Sequence, residues 1–347
     1  MSKISARLGE WYNEHKRDLP WRATKDPYQV WLSEIILQQT QIKQGLPYFL
    51  RFIEAYPTVH HLAAASEVDI LNLWQGLGYY SRAINLHKCA RQISRDFQGI
   101  FPQNSVELKQ LVGIGDYTAA AIASIAFSEA IAAVDGNVYR VLSRLFDIDT
   151  PINTTAGHRL FRELAEEQLD PRSPGDHNQA LMEFGALVCT PKNPHCATCI
   201  FREECLALKT MTVAQRPVKL KKSKVLERWH FYFVFRAQDH LLIQKRHDHS
   251  IWKNMYDFPN VEGDSFKTLS DLVIPVSFPA EARYNREFQM IHVLSHRKIH
   301  AHFHVFDCAD KFNVDSSSAF WAPKNQLQNY PWPRLMDKFL DSLFKTS

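Results

Sequence analysis

Apolar residues recur with a helical period through most of the first 208 residues, and with a strand period after about residue 228. Runs such as HRLFRELAEEQL place apolar residues three and four positions apart, which predicts amphipathic helices. The run HFYFVFRAQDHLLIQKR instead predicts two strands joined by Ala-Gln-Asp-His, and the closing PWPRLMDKFLDSLF predicts an amphipathic helix. The pattern therefore predicts an α+β protein in which an all-α domain is followed by an α/β domain.

The predicted boundary between these domains is a basic stretch over residues 209–227. The segment MTVAQRPVKLKKSKVLER carries six basic residues against one acid and has little periodicity. It is typical of an exposed linker, which is either simply solvated or adds nonspecific affinity for nucleic acid. We therefore expect a helical domain over 1–208 and a second domain over 228–347.

One predicted helix carries a candidate acid. It begins at Pro27 and continues through WLSEIILQQTQIKQG, where Glu34, Gln38 and Gln41 lie at positions i, i+4 and i+7. These side chains form a polar stripe between apolar flanks. A carboxylate beside apolar groups such as Trp31 loses hydration, which raises its pKa and suits it to general acid catalysis. A solvated helix face is the alternative interpretation.

A tight Gly-Ile-Gly turn at 113–115 separates a helical lead-in from a helix rich in Ala, Ile and Ser. The two glycines tolerate positive φ and allow another backbone to approach closely. The unpaired amides that open the second helix are suited to an anion such as phosphate. On this pattern alone an ordinary turn between helices explains the glycines equally well. A lone acid in an apolar stretch, Asp135, follows directly before a Gly-Asn pair.

Cysteine spacing indicates a metal site. Four of the six cysteines lie within 17 residues, as Cys189-x6-Cys196-x2-Cys199-x5-Cys205. Disulfides are rare in a reducing compartment, so these thiols are predicted to bind metal. Zinc usually has two CxxC pairs, whereas this run has one pair with a long arm on each side. The remaining two, Cys89 and Cys308, lie far from this run and are expected to be buried thiols.

Bulk properties add little. A chain of 347 residues with 45% hydrophobic and 22% charged residues fits two globular domains. The net charge of +4 permits nucleic acid binding but does not argue for it. The opening residues have no apolar segment of signal-peptide length, and no run reaches the ~18 apolar residues of a membrane span. We expect a cytoplasmic protein without membrane contact.

The Gly-Ile-Gly hairpin at about 107–126, together with Asp135, resembles the helix-hairpin-helix DNA glycosylase superfamily that includes endonuclease III. The resemblance implies that Gly113 and Gly115 grip a DNA phosphate and that Asp135 faces the sugar of a flipped-out nucleotide. One departure is visible, because the usual proline before the first glycine is Val112 here.

The string WLSEIILQQTQ closely resembles the signature of adenine DNA glycosylases, the MutY branch, which endonuclease III-type enzymes lack. The resemblance implies that Glu34 protonates adenine and that Gln39 enters the base stack. It also implies that the 6-2-5 spacing of the cysteines holds one 4Fe-4S cluster rather than zinc. Shorter strings, LPWR and LMEFG, place Arg22 and Glu183 near the adenine.

The segment LWQGLGYYSRAINL carries glycines on both sides of Leu77 and a tyrosine pair at 79–80. An exposed Leu and Tyr there could wedge into a base step, although a buried aromatic pair in a helix–helix turn is an equal alternative. The family resemblance implies that Leu77 and Tyr79 contact DNA.

The second domain resembles Nudix-like domains over SIWKNMYDFPNVEG, but no catalytic run of acids follows Pro259, so we expect binding without hydrolysis. The stretch MIHVLSHRKIHAHFHVF matches the loop that inspects 8-oxoguanine in the family, with Ser295 and His296 matching and Leu294 replacing a phenylalanine. Three further histidines alternate and so share a strand face, either as a polar or DNA-facing patch or as a metal site: His300, His302 and His304.

Together these features predict a monofunctional glycosylase of base excision repair, a monomer acting near the nucleoid on duplex DNA that contains A·8-oxoguanine or A·G mispairs. Glu34 would protonate adenine while Asp135 stabilises the oxocarbenium-like sugar. Bifunctional relatives carry a nucleophilic lysine where Tyr117 stands, so no Schiff base is expected. Tyr117 and Asn137 would position the intermediate or the attacking water. A thymine glycosylase for G·T mismatches and an inactive cluster-containing DNA-binding module are the alternatives.

Overall fold

The computed structural model describes residues 3–220, 225–246, 251–294, 296–314 and 318–345. The chain forms two compact units, of which the first contains Met1–Ala65 with Ile84–Lys221 and the second Ser66–Ala83 with Lys222–Ser347. The first unit is helical and the second combines a mixed sheet with helices, which confirms the predicted α+β architecture. The units differ from the predicted domains in two segments, because Ser66–Ala83 groups with the C-terminal residues and residues 209–221 of the predicted linker group with the helical unit.

The helices follow one another along the chain as α1 (Lys3–His15), α2 (Pro27–Leu37), α3 (Ile42–Ala55), α4 (Val59–Ala64), α5 (Glu67–Trp74), α6 (Ser81–Asp96), α7 (Ser105–Leu108), α8 (Asp116–Phe127), α9 (Gly136–Leu145), α10 (Thr155–Gln168), α11 (Pro174–Leu187), α12 (Leu206–Lys209) and α13 (Arg334–Lys345). In the part of the chain that the structure describes, no helix is long and apolar enough to cross a membrane.

Helix α2 is shorter than predicted. The Asp26 carboxylate caps its start by accepting the Tyr28 amide, as expected for an Asp-Pro sequence. The prediction that this helix continues through Gln41 is wrong, because Gln38 leaves the helical region and Gln39 has a φ of +54°. Residue Gln41 instead precedes α3 as its N-cap, so the chain makes a sharp corner within the QQT run.

Helices α8, α9 and α11 pack together at close backbone distance. Residues 118–125 of α8 are almost entirely buried, which small side chains permit. A Cβ added to Gly175 of α11 would lie 2.7 Å from the Ser124 carbonyl oxygen of α8. A Cβ added to Gly185 would lie 2.7 Å from the Cβ of Asn137 at the start of α9. These glycines let α11 bring its polar side chains next to the first turn of α9.

The sheet of the second unit contains β1 (Leu226–Ala237), β2 (His240–Lys245), β3 (Tyr256–Asp257), β4 (Asn260–Gly263), β5 (Arg283–Val293), β6 (Arg297–Cys308) and β7 (Ala319–Pro323). The main strand order is β3-β2-β1-β6-β5, with β4 paired to β1 and β7 paired to β2. Strands β1 and β6 are parallel along their whole length, whereas β5 and β6 form an antiparallel hairpin. The predicted pair of strands at the start of this region corresponds to β1 and β2.

The closing helix covers one face of this sheet. On that face the rings of Tyr232 in β1 and Phe303 in β6 stack at 4.7 Å between centroids. Phe339 of α13 stacks on Phe303 at 4.0 Å and meets Phe288 of β5 edge-on at 5.5 Å. The predicted amphipathic helix is therefore present, and its apolar side is buried against the β5–β6 hairpin.

Candidate active site

A cavity of about 1040 Å³ opens in the helical unit, lined by side chains of α2, α8, α9 and α11. It contains both acids that the sequence singled out, Glu34 from α2 and Asp135 from the start of α9. Tyr117 and Asn137 also line it. The structure thus brings together the four residues for which a catalytic role was predicted.

Glu34 has an environment that favours its protonated form. The Tyr117 hydroxyl donates a hydrogen bond to Glu34 Oε2 over 2.7 Å and lies 3.2 Å from Met182 Sδ. Burial raises the pKa of Glu34 to about 7. The hydrogen bond from Tyr117 lowers this pKa, and the negative charge of Asp135 raises it further. The carboxyl group can therefore carry a proton near neutral pH and lose it readily, as a general acid must.

Asp135 is surrounded by hydrogen-bond donors instead. Its Oδ1 accepts the amides of Asn137 and Val138, both at 2.8 Å, and its Oδ2 accepts Asn137 Nδ2 at 2.7 Å. The side chain caps α9, where the helix dipole favours a negative charge. Burial raises the pKa of Asp135, while these hydrogen bonds and the charge of Arg140 oppose the rise. The carboxylate is held in one orientation at the cavity wall.

Sequence reasoning missed Arg140, which supports Asn137 from behind. Arg140 Nη2 donates to Asn137 Oδ1 over 2.8 Å and to the Gly185 carbonyl over 2.7 Å. Its Nε donates to the Cys189 carbonyl over 2.7 Å. A continuous series of hydrogen bonds therefore joins the cysteine loop to the Asp135 carboxylate. The available signal was an arginine one helical turn after Asn137, on the side of α9 that faces inward.

Arg22 and Glu183 line the same cavity, and a second missed residue, Arg17, joins them. Glu183 Oε1 and Oε2 accept hydrogen bonds from Arg17 at 2.8 and 2.6 Å and from Arg22 at 2.9 and 2.7 Å. Burial alone would raise the pKa of Glu183, but the two guanidinium groups hold it at about 2. This acid is therefore ionised at neutral pH and fixes two arginines at the cavity wall.

The corner after α2 separates the two glutamines of the QQT run. Gln38 turns inward and donates from Nε2 to Thr118 Oγ1 over 3.3 Å. Gln39 is exposed, and its positive φ presents it at the outside of the corner. The structure therefore separates the glutamine assigned to the base stack from the one that packs against α8.

The Gly-Ile-Gly turn between α7 and α8 has the predicted positive φ and close approach at Gly113 but not at Gly115. Gly113 has a φ of +79°, and a Cβ there would lie 2.8 Å from Asn85 Cβ. Gly115 caps α8 with a φ of −96° and lines the cavity. Val112, which replaces the proline of the family, donates its amide hydrogen to Gln92 Oε1 over 3.0 Å. This bond uses a donor that proline lacks, so the turn is held by a different contact.

The four clustered cysteines line one small cavity beside α9 and the 188–213 loop. Arg144 Nη1 lies 3.5 Å from Cys189 Sγ, and the Phe201 amide donates to Cys199 Sγ over 3.4 Å. Cysteine thiolates are the ligands of iron–sulfur clusters, and N–H donors to their sulfur atoms tune the cluster. Among the described residues, however, no three cysteine, histidine or acidic side chains converge on one metal position. Four cysteines around one cavity therefore fit a cluster, whose iron atoms are spread over a volume, better than a single ion.

In the second unit, the loop after α5 presents one aromatic residue. Tyr79 is 47% exposed with a φ of +48°, whereas Tyr80 is buried. The expectation of an exposed Leu77 is wrong, because this side chain is only 6% exposed. Leu77 is buried by apolar packing, so Tyr79 is the one of these two residues that is exposed and could contact DNA.

The hairpin between β5 and β6 turns at the residues matched to the family's inspection loop. The Leu294 amide donates to the Arg297 carbonyl over 2.8 Å, so the turn between the strands is tight. His296 lies exposed at this turn, and the Leu226 amide donates to its carbonyl over 3.1 Å. Ser295 lies outside the described residues.

The three alternating histidines of β6 do share one face, but a polar patch is wrong for two of them. His302 and His304 are buried, and His302 Nδ1 lies 2.6 Å from Glu287 Oε1. His300 stacks on Trp229 at 4.8 Å between ring centroids. Because β1 and β6 run side by side, aromatic residues of β1 pair with these histidines on the same face, as Phe231 does with His302 at 5.3 Å between ring centroids. The two remaining thiols, Cys89 and Cys308, are free and buried as predicted.

Comparison with known proteins extends this picture. Residues 32–167 match the model of the HhH-GPD superfamily base excision DNA repair protein, and residues 230–342 match that of the NUDIX domain. An adenine DNA glycosylase of Buchnera aphidicola subsp. Schizaphis graminum is 38% identical over 260 residues, which is 75% of each chain. The chain belongs to the adenine DNA glycosylase family. Another member, from Buchnera aphidicola subsp. Acyrthosiphon pisum, is 30% identical over 343 residues and 96% of each chain.

Membership in the adenine DNA glycosylase family confirms the prediction of a base excision repair glycosylase with a Nudix-like second domain. A solved thermostable thymine-DNA glycosylase is also similar, with 30% identity and a TM-score of 0.56. The structural match covers 60% of this chain and 95% of the thymine-DNA glycosylase.

Proposed function

We propose that this protein removes adenine that is mispaired with 8-oxoguanine or guanine in duplex DNA. The observation that carries the proposal is the pair of acids in one cavity, with Glu34 in surroundings that favour protonation and Asp135 among three N–H donors. Two carboxyl groups with opposite protonation states are what cleavage of a glycosidic bond needs.

In this mechanism Glu34 gives its proton to the adenine, which then leaves as a neutral base. The sugar develops positive charge as the bond lengthens, and the fixed Asp135 carboxylate stabilises that charge. Asn137 holds Asp135 in place through two hydrogen bonds. Arg22, anchored on Glu183, would face the base or an adjacent phosphate from the cavity wall.

The same cavity argues for base removal without strand cleavage. Strand cleavage by relatives proceeds through a Schiff base, which needs a lysine nucleophile. Tyr117 occupies that position, and its hydroxyl is committed to Glu34. We infer that the protein is monofunctional and leaves an intact abasic strand.

Adenine must leave the base stack before it reaches Glu34, and this costs a few kcal/mol of unstacking energy. The exposed side chains of Gln39 and Tyr79 are the candidates that fill the vacated space. The turn at Gly113 and Gly115 would hold a phosphate on the amides that open α8. In the second unit, the hairpin turn with Ser295 and His296 would read the opposite base.

Cys189, Cys196, Cys199 and Cys205 would hold one 4Fe-4S cluster, whose role when bound is to crosslink the 189–205 loop and tune its charge. The loop in turn fixes Arg140 through the Cys189 carbonyl. We further infer that one copy of the chain suffices for one asymmetric lesion and that the protein works at the nucleoid.

A single-turnover assay tests this function. Duplexes with A·8-oxoguanine, A·G, A·T and G·T would be incubated with enzyme in excess and then treated with alkali to reveal abasic sites. We expect strand breaks only after alkali, at adenine in the first two duplexes, and none with Asp135→Asn. Adenine that stays in place while thymine leaves G·T would favour a thymine glycosylase, the activity named for the similar solved structure. Activity against none of the four would favour an inactive DNA-binding module.

A further inference from the structure

The segment that carries Tyr79 belongs to the second compact unit, although it precedes the rest of that unit by about 140 residues of chain. It consists of α5, the loop 75–80 and the start of α6. It also lies inside the stretch that matches the HhH-GPD model. Its contacts therefore reveal how a loop of the glycosylase sequence is held by the Nudix-like part of the chain.

Side-chain hydrogen bonds attach both ends of this segment to the C-terminal residues. Near its start, Asn254 Nδ2 donates to Glu67 Oε1 over 2.6 Å. At the end of α5, Gln75 Nε2 donates to Asp337 Oδ1 over 2.7 Å. Asp337 lies on α13, and burial raises its pKa to about 6. A partly buried acceptor of this kind strongly favours a nearby donor, since an unmade hydrogen bond would leave it unsatisfied.

Tyr80 makes the contact closest to the exposed tyrosine. The Tyr80 hydroxyl donates a hydrogen bond to the Trp332 carbonyl over 3.1 Å. The same hydroxyl accepts a hydrogen bond from the Gly76 amide over 3.5 Å. One hydroxyl group thus bridges the loop and the segment that leads into α13. Tyr80 and Trp332 are both buried, whereas the neighbouring Tyr79 is half exposed.

The loop itself has a fixed shape. Gly76, Gly78 and Tyr79 all have positive φ, and the Trp74 indole donates to the Gly78 carbonyl over 3.0 Å. The buried Arg82 donates to the same carbonyl over 3.2 Å, and its guanidinium lies 5.6 Å from the Tyr79 ring centroid. The loop carbonyl next to Tyr79 is therefore held from two sides, by Trp74 and by Arg82.

Helix α13 connects this loop to the hairpin that ends at His296. Phe339 of α13 packs on Phe288 and Phe303 of the hairpin strands, two residues after Asp337 receives Gln75. The two exposed turns, at Tyr79 and at His296, are thus attached to the same helix. Hydrogen bonds and packed rings therefore run from the Tyr79 loop through α13 to the hairpin strands.

We propose that the Tyr79 loop acts as a DNA-distorting part of the Nudix-like unit, with Gln75, Tyr80 and Asp337 as its positioning residues. The inference rests on the proposed function, because it assumes that Tyr79 enters the duplex during removal of adenine. Reading of the opposite base by the hairpin and unstacking of the adenine then occur as one movement. The three residues act through Tyr79 and contact neither base nor sugar.

The test compares two duplexes in single-turnover assays of the full chain. In the first, adenine is paired with 8-oxoguanine; in the second, the same adenine lies in a bubble of unpaired bases, where little stacking has to be broken. Tyr80→Phe and Asp337→Ala should each slow removal from the paired duplex about fivefold, the value of one hydrogen bond. Both should match the wild type on the bubble. Tyr79→Ala should slow removal from the paired duplex by more than either of these variants.

Two conservative variants serve as controls. Asp337→Asn keeps the oxygen that accepts Gln75 and should restore the paired rate. Tyr330→Phe makes the same substitution as Tyr80→Phe in the same unit, at a ring that contacts Tyr256 and Phe320. Its rates should equal those of the wild type on both duplexes.

The results separate this inference from the proposed function. Equal losses on both duplexes would overturn the inference, because the residues would then support folding or bond cleavage rather than unstacking. Unchanged rates on the paired duplex would also overturn it. A wild-type enzyme that leaves adenine opposite 8-oxoguanine in place would instead refute the proposed function itself.

The fluorescence of 2-aminopurine placed beside the adenine gives a second measure of unstacking. In a Glu34→Gln background, Tyr80→Phe should reduce the increase of this fluorescence on DNA binding.

Discussion

Tyr117 and Glu34, which are 83 residues apart in the chain, share a hydrogen bond of 2.7 Å at the wall of the candidate active-site cavity. The tyrosine donates, so the bond is stronger when Glu34 is ionised. Burial acts in the opposite direction and raises the pKa of Glu34 to about 7. The tyrosine therefore tunes the acid that is proposed to protonate adenine.

This relationship predicts the pH dependence of the reaction. Glu34 must carry its proton to act, so the single-turnover rate should fall as pH rises through about 7. Asp135 must be ionised, so the rate should also fall at low pH. Tyr117→Phe removes a contact that lowers the pKa of Glu34, and the alkaline limb should move to higher pH. Tyr139→Phe, whose hydroxyl lies 2.7 Å from His158 Nδ1, should leave that limb in place. An alkaline limb that stays put or moves down in Tyr117→Phe would refute this role.

The Glu183 cluster predicts a pH-dependent loss of stability. Glu183→Gln should lower the free energy of unfolding by about 2–3 kcal/mol at neutral pH, somewhat below a fully buried pair because Arg17 remains partly exposed. The pKa of Glu183 in the folded protein, about 2, lies below its ordinary value of 4.5. Glu183 therefore contributes its full stabilisation above about pH 4.5 and loses it as the pH falls toward 2. The difference from wild type should therefore shrink over this range.

Urea unfolding at neutral pH and near pH 3 measures this effect. Glu163→Gln is the matched control, because its partner Arg159 is 78% exposed and the pair lies on the surface of α10. We expect no measurable change there. Equal effects of the two substitutions would show that the buried cluster contributes no more than a surface pair.

The two glycines of the hairpin turn should respond differently to alanine. Gly113→Ala requires a positive φ and places a Cβ 2.8 Å from Asn85 Cβ, so we expect about 1–2 kcal/mol of destabilisation and weaker DNA binding. Gly115 has a φ of −96° and no atom within 4 Å of a new Cβ, so Gly115→Ala should cost only the smaller N-cap preference for glycine over alanine. Urea unfolding and binding titrations at fixed salt would measure both. A Gly115→Ala protein that is the less stable of the two would contradict the geometry.

The cysteine loop predicts the metal content. Protein purified without oxygen should contain about four iron atoms and acid-labile sulfide per chain. Cys199→Ser should lose the iron, whereas Cys89→Ser should retain it, because Cys89 lies buried away from the loop. Elemental analysis of the three proteins checks this. Zinc in place of iron would overturn the cluster assignment and leave the thiols as a zinc site.

Local sequence explains the parts of the site whose geometry is set within a few residues. Asp135 accepts amides two and three positions further on, which an Asp before Gly-Asn at a helix start makes predictable. The turn at Gly113 is predictable for the same reason. The corner at Gln39 is not, because polar residues continue at helical spacing through Gln41 and nothing in the pattern marks a break.

Contacts between distant segments were beyond the reach of the pattern. Arg17 meets Glu183 across 166 residues, and its sequence setting, in a basic stretch near the chain start, resembles any solvated charge. The burial of Leu77 depends likewise on tertiary packing, which overrides the loop character of its neighbours. The match of Glu34 and the cysteine spacing to a known family supplied what periodicity alone could not.

The grouping of Ser66–Ala83 with the C-terminal residues limits how this protein can be recombined with its relatives. A chimera joined in the basic stretch near 209–227 would pair the Glu67, Gln75 and Tyr80 side chains with a foreign set of hydrogen-bond partners. If the regions 32–167 and 230–342 were exchanged independently between relatives, the second compact unit would be assembled from two different proteins. A hybrid that keeps both ends of this unit from one parent must carry residues 66–83 along with its C-terminal half.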